Sequence, residues 1–241
     1  MDVGKQFHTA AVFGASGGIG RALAEALVEQ GAEVWAGCRS GDPGIAGLHS
    51  FAFDLDEETS IAEAADAMSD APPDLVIVAS GVLTLDDGTG PERSYRSLDP
   101  DAMERVFLLN TIGPAIIAKH MLPLFDRKER CVFAALSARV GSISDNRLGG
   151  WHSYRAGKAA LNMLLRNFAI ELGRTHKQAV VTGLHPGTVD TQLSEPFQSN
   201  LPDGQLTAPL EAAANLLEVI SRLGPSDSGK IFDYAGEVIP A

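Results

Sequence analysis

A short apolar run, Thr9-Ala10-Ala11-Val12-Phe13, passes straight into Gly14-Ala-Ser-Gly17-Gly18-Ile-Gly20, and a helical apolar pattern then continues from Ile19 to Gln30. Strand, glycine turn and helix in this order constrain the chain more than any other stretch. The helix must fold back onto the sheet that holds the strand, and the turn between them must be tight. Glycines let the backbone make that turn and approach a pyrophosphate, whose charge is held by the free N–H groups at a helix N-terminus. The spacing is Gly-x-x-x-Gly-x-Gly rather than Gly-x-Gly-x-x-Gly. A ligand-free βα turn is the alternative; three spaced glycines with the correct flanks favour a dinucleotide site.

The alternation continues. Glu33 to Gly37 reads as a second strand, ending at Cys38-Arg39-Ser40, and the Gly/Pro-rich stretch 41–47 is too broken for a crossover helix. Phe51-Ala52-Phe53 reads as a third strand, ending in Asp54-Leu55, and Glu57 to Ser69 as a helix. Asp74 to Ala79 is a fully apolar strand of the kind buried in a parallel sheet, and it leads to Ser80-Gly81. A long helix is predicted from Pro100 to about Phe125, and strands over Cys131–Leu136, Ala179–His185 and Lys230–Tyr234. Helices are predicted over Tyr154–Gly173 and Glu211–Leu223. The pattern predicts an α/β fold, a doubly wound (Rossmann-type) parallel sheet of about seven strands with helices on both faces. The 241 residues suit one domain over 1–241. Ligands of such sheets bind beyond the C-terminal ends of the strands.

Composition narrows the partners. Nineteen basic against 31 acidic residues give a net charge of −12, which argues against nucleic acid or an anionic membrane as partner. Met1 to Ala10 lacks the apolar core of a signal peptide, so the cytoplasm is expected. Cys38 and Cys131 read as reduced thiols, and the scattered histidines suggest no metal site.

Candidate chemistry gathers at the predicted strand ends. A carboxylate after the second strand would favour the ribose 2′-hydroxyl of NAD; this chain offers Arg39, which favours the 2′-phosphate of NADP. Tyr154 and Lys158 stand one turn apart on a predicted helix. A free tyrosine titrates near pH ~10, and an adjacent ammonium would lower that value, making the pair a tuned general acid/base. Pro114 has no N–H, so the carbonyl of Asn110, four residues earlier, loses its helical partner and is free to hold a water.

Together these residues give the chain a resemblance to the short-chain dehydrogenase/reductases along essentially its whole span. The matching signals are Gly14-x-x-x-Gly18-x-Gly20, Asp54, Asn110, Tyr154-x-x-x-Lys158 and Pro186-Gly187. The segment from Arg139 through Gly149-Gly150 to Tyr154, with Ala159-Ala-Leu-Asn-Met after it, is similar to the C-factor/sniffer-type carbonyl reductases. The resemblance implies that Gly14, Ser16, Gly18, Ile19 and Gly20 cradle the pyrophosphate and that Asp54 and Leu55 meet the adenine. It places Gly81 near the ribose and assigns the nicotinamide to Pro186, Gly187, Val189 and Thr191. Tyr154 would donate a proton to a carbonyl as NADPH delivers hydride, Lys158 would hold the nicotinamide ribose, and the Asn110 carbonyl would anchor a relay water. A homodimer or homotetramer paired through the two long helices is also implied.

Three departures from the family pattern stand out. The asparagine-rich turn after the fourth strand is Val78-Ala79-Ser80-Gly81, Gly157 replaces the usual Ser or Ala, and the family's catalytic serine position is Ala138. Ser137 or Ser142 could supply the hydroxyl instead. Two functions follow. One is an NADP-dependent oxidoreductase acting on an aldehyde, ketone or alcohol, with Leu148, Trp151, Phe197 and Leu201 suggesting an apolar substrate. The other is a catalytically weakened NADP-binding sensor.

Overall fold

The computed structural model describes residues 7–200 and 206–241, without the side chains of Phe197, Ser199 and Asn200. Phe197 and Leu201, two of the residues expected to flank the pocket, lie outside what is described. In chain order the elements are β1 (Thr9–Phe13), α1 (Gly18–Glu29), β2 (Glu33–Cys38), β3 (His49–Ala52), α2 (Glu58–Ala67), β4 (Leu75–Val78), α3 (Pro100–Phe107) and α4 (Gly113–Met121). They continue with β5 (Val132–Leu136), α5 (His152–Leu172), β6 (Val180–His185), β7 (Thr188–Val189), β8 (Leu206–Thr207), α6 (Pro209–Arg222), β9 (Ile231–Asp233) and β10 (Val238–Ile239).

The apolar strands are continuous runs because both faces are covered. Side chains alternate across a strand. Ala10, Val12, Leu75, Ile77, Val132 and Ala134 therefore pack in the layer that holds α1 and α6. Ala11, Phe13, Val76, Val78, Phe133 and Ala135 pack in the opposite layer, with residues of α2, α4 and α5. The sheet order is β10-β9-β6-β5-β4-β1-β2-β3. Strand β1 pairs in parallel with β2 on one side and β4 on the other, so the winding reverses at β1. The crevice this opens above the ends of β1 and β4 is where such sheets take ligands.

Three expectations are adjusted. The sheet has eight strands rather than seven, because Val238–Ile239 folds back antiparallel to β9 across a turn at Gly236 (φ 83°). The third strand is His49–Ala52 rather than Phe51–Phe53, its register set by pairing with Trp35–Cys38. The long helix from Pro100 is interrupted by a π-turn at Leu108–Ile112 before α4 resumes at Gly113. By length and composition Pro100–Leu124 could cross a membrane, at mean hydropathy 1.2. In the fold Ile117, Ala118 and Met121 are fully buried against the sheet. As expected, no helix joins β2 to β3.

Candidate active site

The glycine turn is built as the sequence requires. Gly14 leaves β1 at φ 98°, and a side chain there would put its Cβ 2.8 Å from the backbone N of Ser80. A Cβ at Gly20 would overlap the Gly14 carbonyl, so this glycine lets α1 seat on the turn. Gly17 caps α1 with no side-chain acceptor for the first-turn N–H groups, the kind of helix start that can bind an anion. Ser16 and Gly18 are exposed at the lip of the crevice, and Ile19 is half-buried beside them. A Cβ at Gly18 would lie 2.6 Å from Thr191 Cγ2.

Thr191 comes from the segment after β6, which closes on the glycine turn from the far side. Gly187 turns at φ 78°, and a Cβ there would touch the Tyr234 ring at 3.0 Å. Val189 is buried, and its carbonyl accepts from the hydroxyls of Ser194 (2.5 Å) and Thr191 (3.4 Å). Pro186 is half-buried at the end of β6. Asp54 and Leu55 follow β3. The Asp54 carboxylate accepts from Asp56 N at 3.0 Å, and Leu55 packs where Gly113 leaves it room. Arg39 is exposed beyond β2, its guanidinium 3.7 Å from Asp86.

Opposite the glycine turn, β4, the π-turn and α5 converge. Lys158 is buried, and its Nζ donates to the Leu136 carbonyl at 2.9 Å. Gly81 makes room for both Lys158 and Asn110: a Cβ there would sit 2.9 Å from Asn110 Oδ1 and 3.4 Å from Lys158 Nζ. The buried Asn110 amide accepts from Val82 N (3.2 Å) and donates to the carbonyls of Val82 (2.9 Å) and Val106 (3.1 Å). This ties the β4 exit to the π-turn. Pro114 stands in the first turn of α4 and cannot donate to the Asn110 carbonyl, as the sequence predicts.

Tyr154 lies one turn above Lys158, with Nζ 5.7 Å from its ring centroid and Trp151 edge-on at 6.3 Å. The expected lowering of the tyrosine pKa is reversed here. Burial pushes Tyr154 up to about 12 and Lys158 down to about 8. Lys158 approaches the ring face while its ammonium bonds Leu136, so desolvation outweighs its charge.

The serines stand elsewhere. Ser137 donates its hydroxyl to Asn162 Oδ1 at 2.6 Å. Asn162 is two turns further along α5 than Tyr154, about 12 Å along the axis. Ser142 accepts from Asp145 N at 3.1 Å, and the buried Ala138 has no hydroxyl.

Several residues around the site have no sequence signal, because they meet it through tertiary packing. Thr111 donates to the Gly157 carbonyl at 2.8 Å, joining the π-turn to α5. Arg139 bridges Asp233 (2.8 Å) and Asp145 (3.4 Å). His185, in register with Asp233, is pushed down to about 4 by burial and by Arg139 and so stays neutral at pH 7.

The buried Ser80 Oγ has no partner, and the glycines leave a cradle between Gly18 and Thr191. These features fit a dinucleotide whose phosphates face α1. Comparison with known proteins agrees. The family model for short chain dehydrogenase matches residues 8–202. The 1-hydroxy-2-glutathionyl-2-methyl-3-butene dehydrogenase of Rhodococcus sp. strain AD45 is 32% identical over 92% of this chain and 94% of its own length. The C-signal protein of Myxococcus xanthus is 34% identical over 70% of this chain and 93% of its own. The crystal structure of NADPH-bound carbonyl reductase from chicken fatty liver superposes with a TM-score of 0.82 at 25% identity, covering 97% of this chain and 99% of that one. The chain belongs to the short-chain dehydrogenase/reductase family, in its C-factor/sniffer-like branch, and is an NAD(P)-dependent oxidoreductase.

Proposed function

We propose that the chain is an NADP(H)-dependent carbonyl reductase or alcohol dehydrogenase in which Tyr154 is the general acid/base, the proton donor in reduction. The observation that carries this reading is the cluster of Tyr154, Lys158, Gly81 and Asn110 across the crevice from the Gly14–Gly20 turn. Gly14, Ser16, Gly18, Ile19 and Gly20 would hold the pyrophosphate, Asp54 and Leu55 the adenine, and Pro186, Gly187, Val189 and Thr191 the nicotinamide. When bound, the cofactor supplies the hydride in reduction and takes it in oxidation.

The residues supply the rest. Tyr154, at about 12, stays protonated at neutral pH, which suits giving a proton to the far more basic oxygen left as a carbonyl takes hydride. Lys158, at about 8, is still mostly charged at pH 7 and would hold the ribose. The Asn110 carbonyl, denied its α-helical donor by Pro114, would anchor a water that returns the proton to the site. Arg39, exposed beyond β2, would take the 2′-phosphate, and the NADPH named for the chicken relative supports NADP over NAD. That relative is named for carbonyls and the Rhodococcus relative for a hydroxy compound, which supports carbonyl and alcohol substrates. Exposed Leu148 and partly buried Trp151 favour an apolar one. We further read the chain as a homodimer or homotetramer paired through α4 and α5.

One observation supports a second reading, a weakened NADP-binding sensor. Ala138 offers no hydroxyl, and that of Ser137 is committed to Asn162. Losing one carbonyl-polarising donor lowers turnover by roughly 10²–10³-fold. A panel of activated carbonyls with NADPH, followed by absorbance loss, separates the two. Turnover that falls at least ~10³-fold in Tyr154→Phe supports the reductase. Tight NADPH binding with no turnover on any carbonyl supports the sensor.

A further inference from the structure

The helix that carries Tyr154 starts without a cap of its own. Trp151 precedes it at φ 50° and offers no side-chain acceptor. The first-turn donors are met instead by Glu92, far away in the segment between β4 and α3. Its carboxylate accepts from Ser153 N at 3.1 Å and from the Ser153 hydroxyl, while its backbone carbonyl accepts from Trp151 N. A carboxylate at this end also complements the positive end of the helix dipole. The same segment is held at its other end by Asn110, through Val82.

We propose that Glu92 is a positioning residue for Tyr154. It sets where α5 begins, and with it the height of the Tyr154 ring over Lys158 and of Trp151 beside it. The proposal rests on Tyr154 being the proton donor. The left-handed backbone at Trp151 does not suit a side-chain cap from position 151 itself, and a cap from another segment couples the β4 exit to the proton donor. Ser153 adjoins Tyr154 in the chain, so an error at the cap passes directly to the hydroxyl. A displacement of about 1 Å at a reacting group costs about 100-fold in rate.

The test compares Glu92→Ala, Glu92→Gln and Ser153→Ala in a Trp35→Phe background, where Trp151 is the remaining tryptophan. Glu92→Ala is expected to lower kcat by about 10- to 100-fold with the NADPH Kd held within about twofold, and to red-shift Trp151 emission. Gln keeps an acceptor oxygen for Ser153 N, so Glu92→Gln is expected to recover kcat to within about threefold of the parent. Unchanged kcat in Glu92→Ala, or kcat and cofactor affinity lost in parallel, overturns the proposal. Should Glu92→Ala fail to fold, Ser153→Ala decides: a fall in kcat of about threefold or more at unchanged NADPH Kd supports it, and unchanged kcat overturns it. If the parent reduces no carbonyl, the functional reading fails by itself. The Trp151 emission shift then decides whether Glu92 sets the start of α5, and an unshifted emission overturns that too.

Discussion

Lys158 is a cation in a place that disfavours cations. Burial takes it from 10.5 down to about 8, a difference worth roughly 3 kcal/mol of stability at pH 7. Lys158→Met keeps most of the stem volume and removes the charge, but it leaves the Leu136 carbonyl without its donor, a loss of about 1–2 kcal/mol. The variant is therefore expected to be inactive yet more stable at pH 7, by about 1–2 kcal/mol, measured by urea unfolding. The sign of the pH dependence follows from proton counts. Between pH 8 and 10.5 the unfolded lysine still holds its proton while the buried one has lost it, so wild-type stability rises with pH and the variant's advantage shrinks. Tyr154, raised to about 12, pulls the other way above pH ~10, but it does so in both proteins and cancels in the difference. An advantage that is absent at pH 7, or that grows with pH, rules this out. The residue types and spacing of this pair are legible in the sequence because one helix carries both. The direction of their shifts is not, since it depends on how much of the chain covers them. The serine question was equally closed to sequence. Ser137 shares a sheet face with Ala135 and finds Asn162 there, a partner that only the packing of α5 on the sheet reveals.

At the scale of elements, α5 and the interrupted helix meet at Gly157 and Thr111. Glycine inside a helix is less favourable than alanine by up to about 1 kcal/mol. A Cβ at Gly157 would lie 3.3 Å from Thr111 Oγ1 and 3.8 Å from the Asn110 Cβ, tight but not overlapping. Thr111 must give a few tenths of an ångström while keeping its bond to the Gly157 carbonyl. Gly157→Ala is expected to gain about 0.5 kcal/mol net and raise Tm by about 1–2 °C in a thermal melt. A lower Tm would mean that the π-turn is locked against α5. Strands β1 to β6 and β9, most helices and the missing β2–β3 helix could be read from apolar runs and breakers, whereas the two-residue β7 and β8 could not. The form of the break at Asn110–Pro114 could not. Proline predicts that an α-helical bond is lost there, but a kink and a π-turn both satisfy that. The structure takes the π-turn, with the Asn110 amide bonded to Val82 on the neighbouring segment. Strand β10 is two residues long and has no periodicity to detect; β9 templates it.

At the scale of the whole molecule, the face formed by α4, α5 and the π-turn leaves large apolar side chains in water. Met163 is 62% exposed, Ile170 49% and Ile112 47%. Met163 and Ile170 are seven residues apart, hence on one stripe of α5. An isologous pairing would bring this stripe onto its own copy, so each apolar residue covers another and one patch suffices for a closed dimer. Wild-type protein at micromolar concentration is then expected to scatter light as twice or four times the 25.4 kDa chain. In a Met163→Glu, Ile170→Glu double variant, the two-fold axis gathers four carboxylates where four apolar side chains met. Like charges brought together without partners cost several kcal/mol across an interface. The variant is expected to run at the mass of one chain. Both substituted positions lie on the outer face of α5, more than two turns from Tyr154 along its axis. Monomeric double variant should therefore keep kcat within about twofold, provided that no residue of a second copy reaches the site. Wild-type protein at the mass of one chain would sink the pairing. A monomeric variant that loses activity while keeping its Tm would show instead that the second copy completes the site.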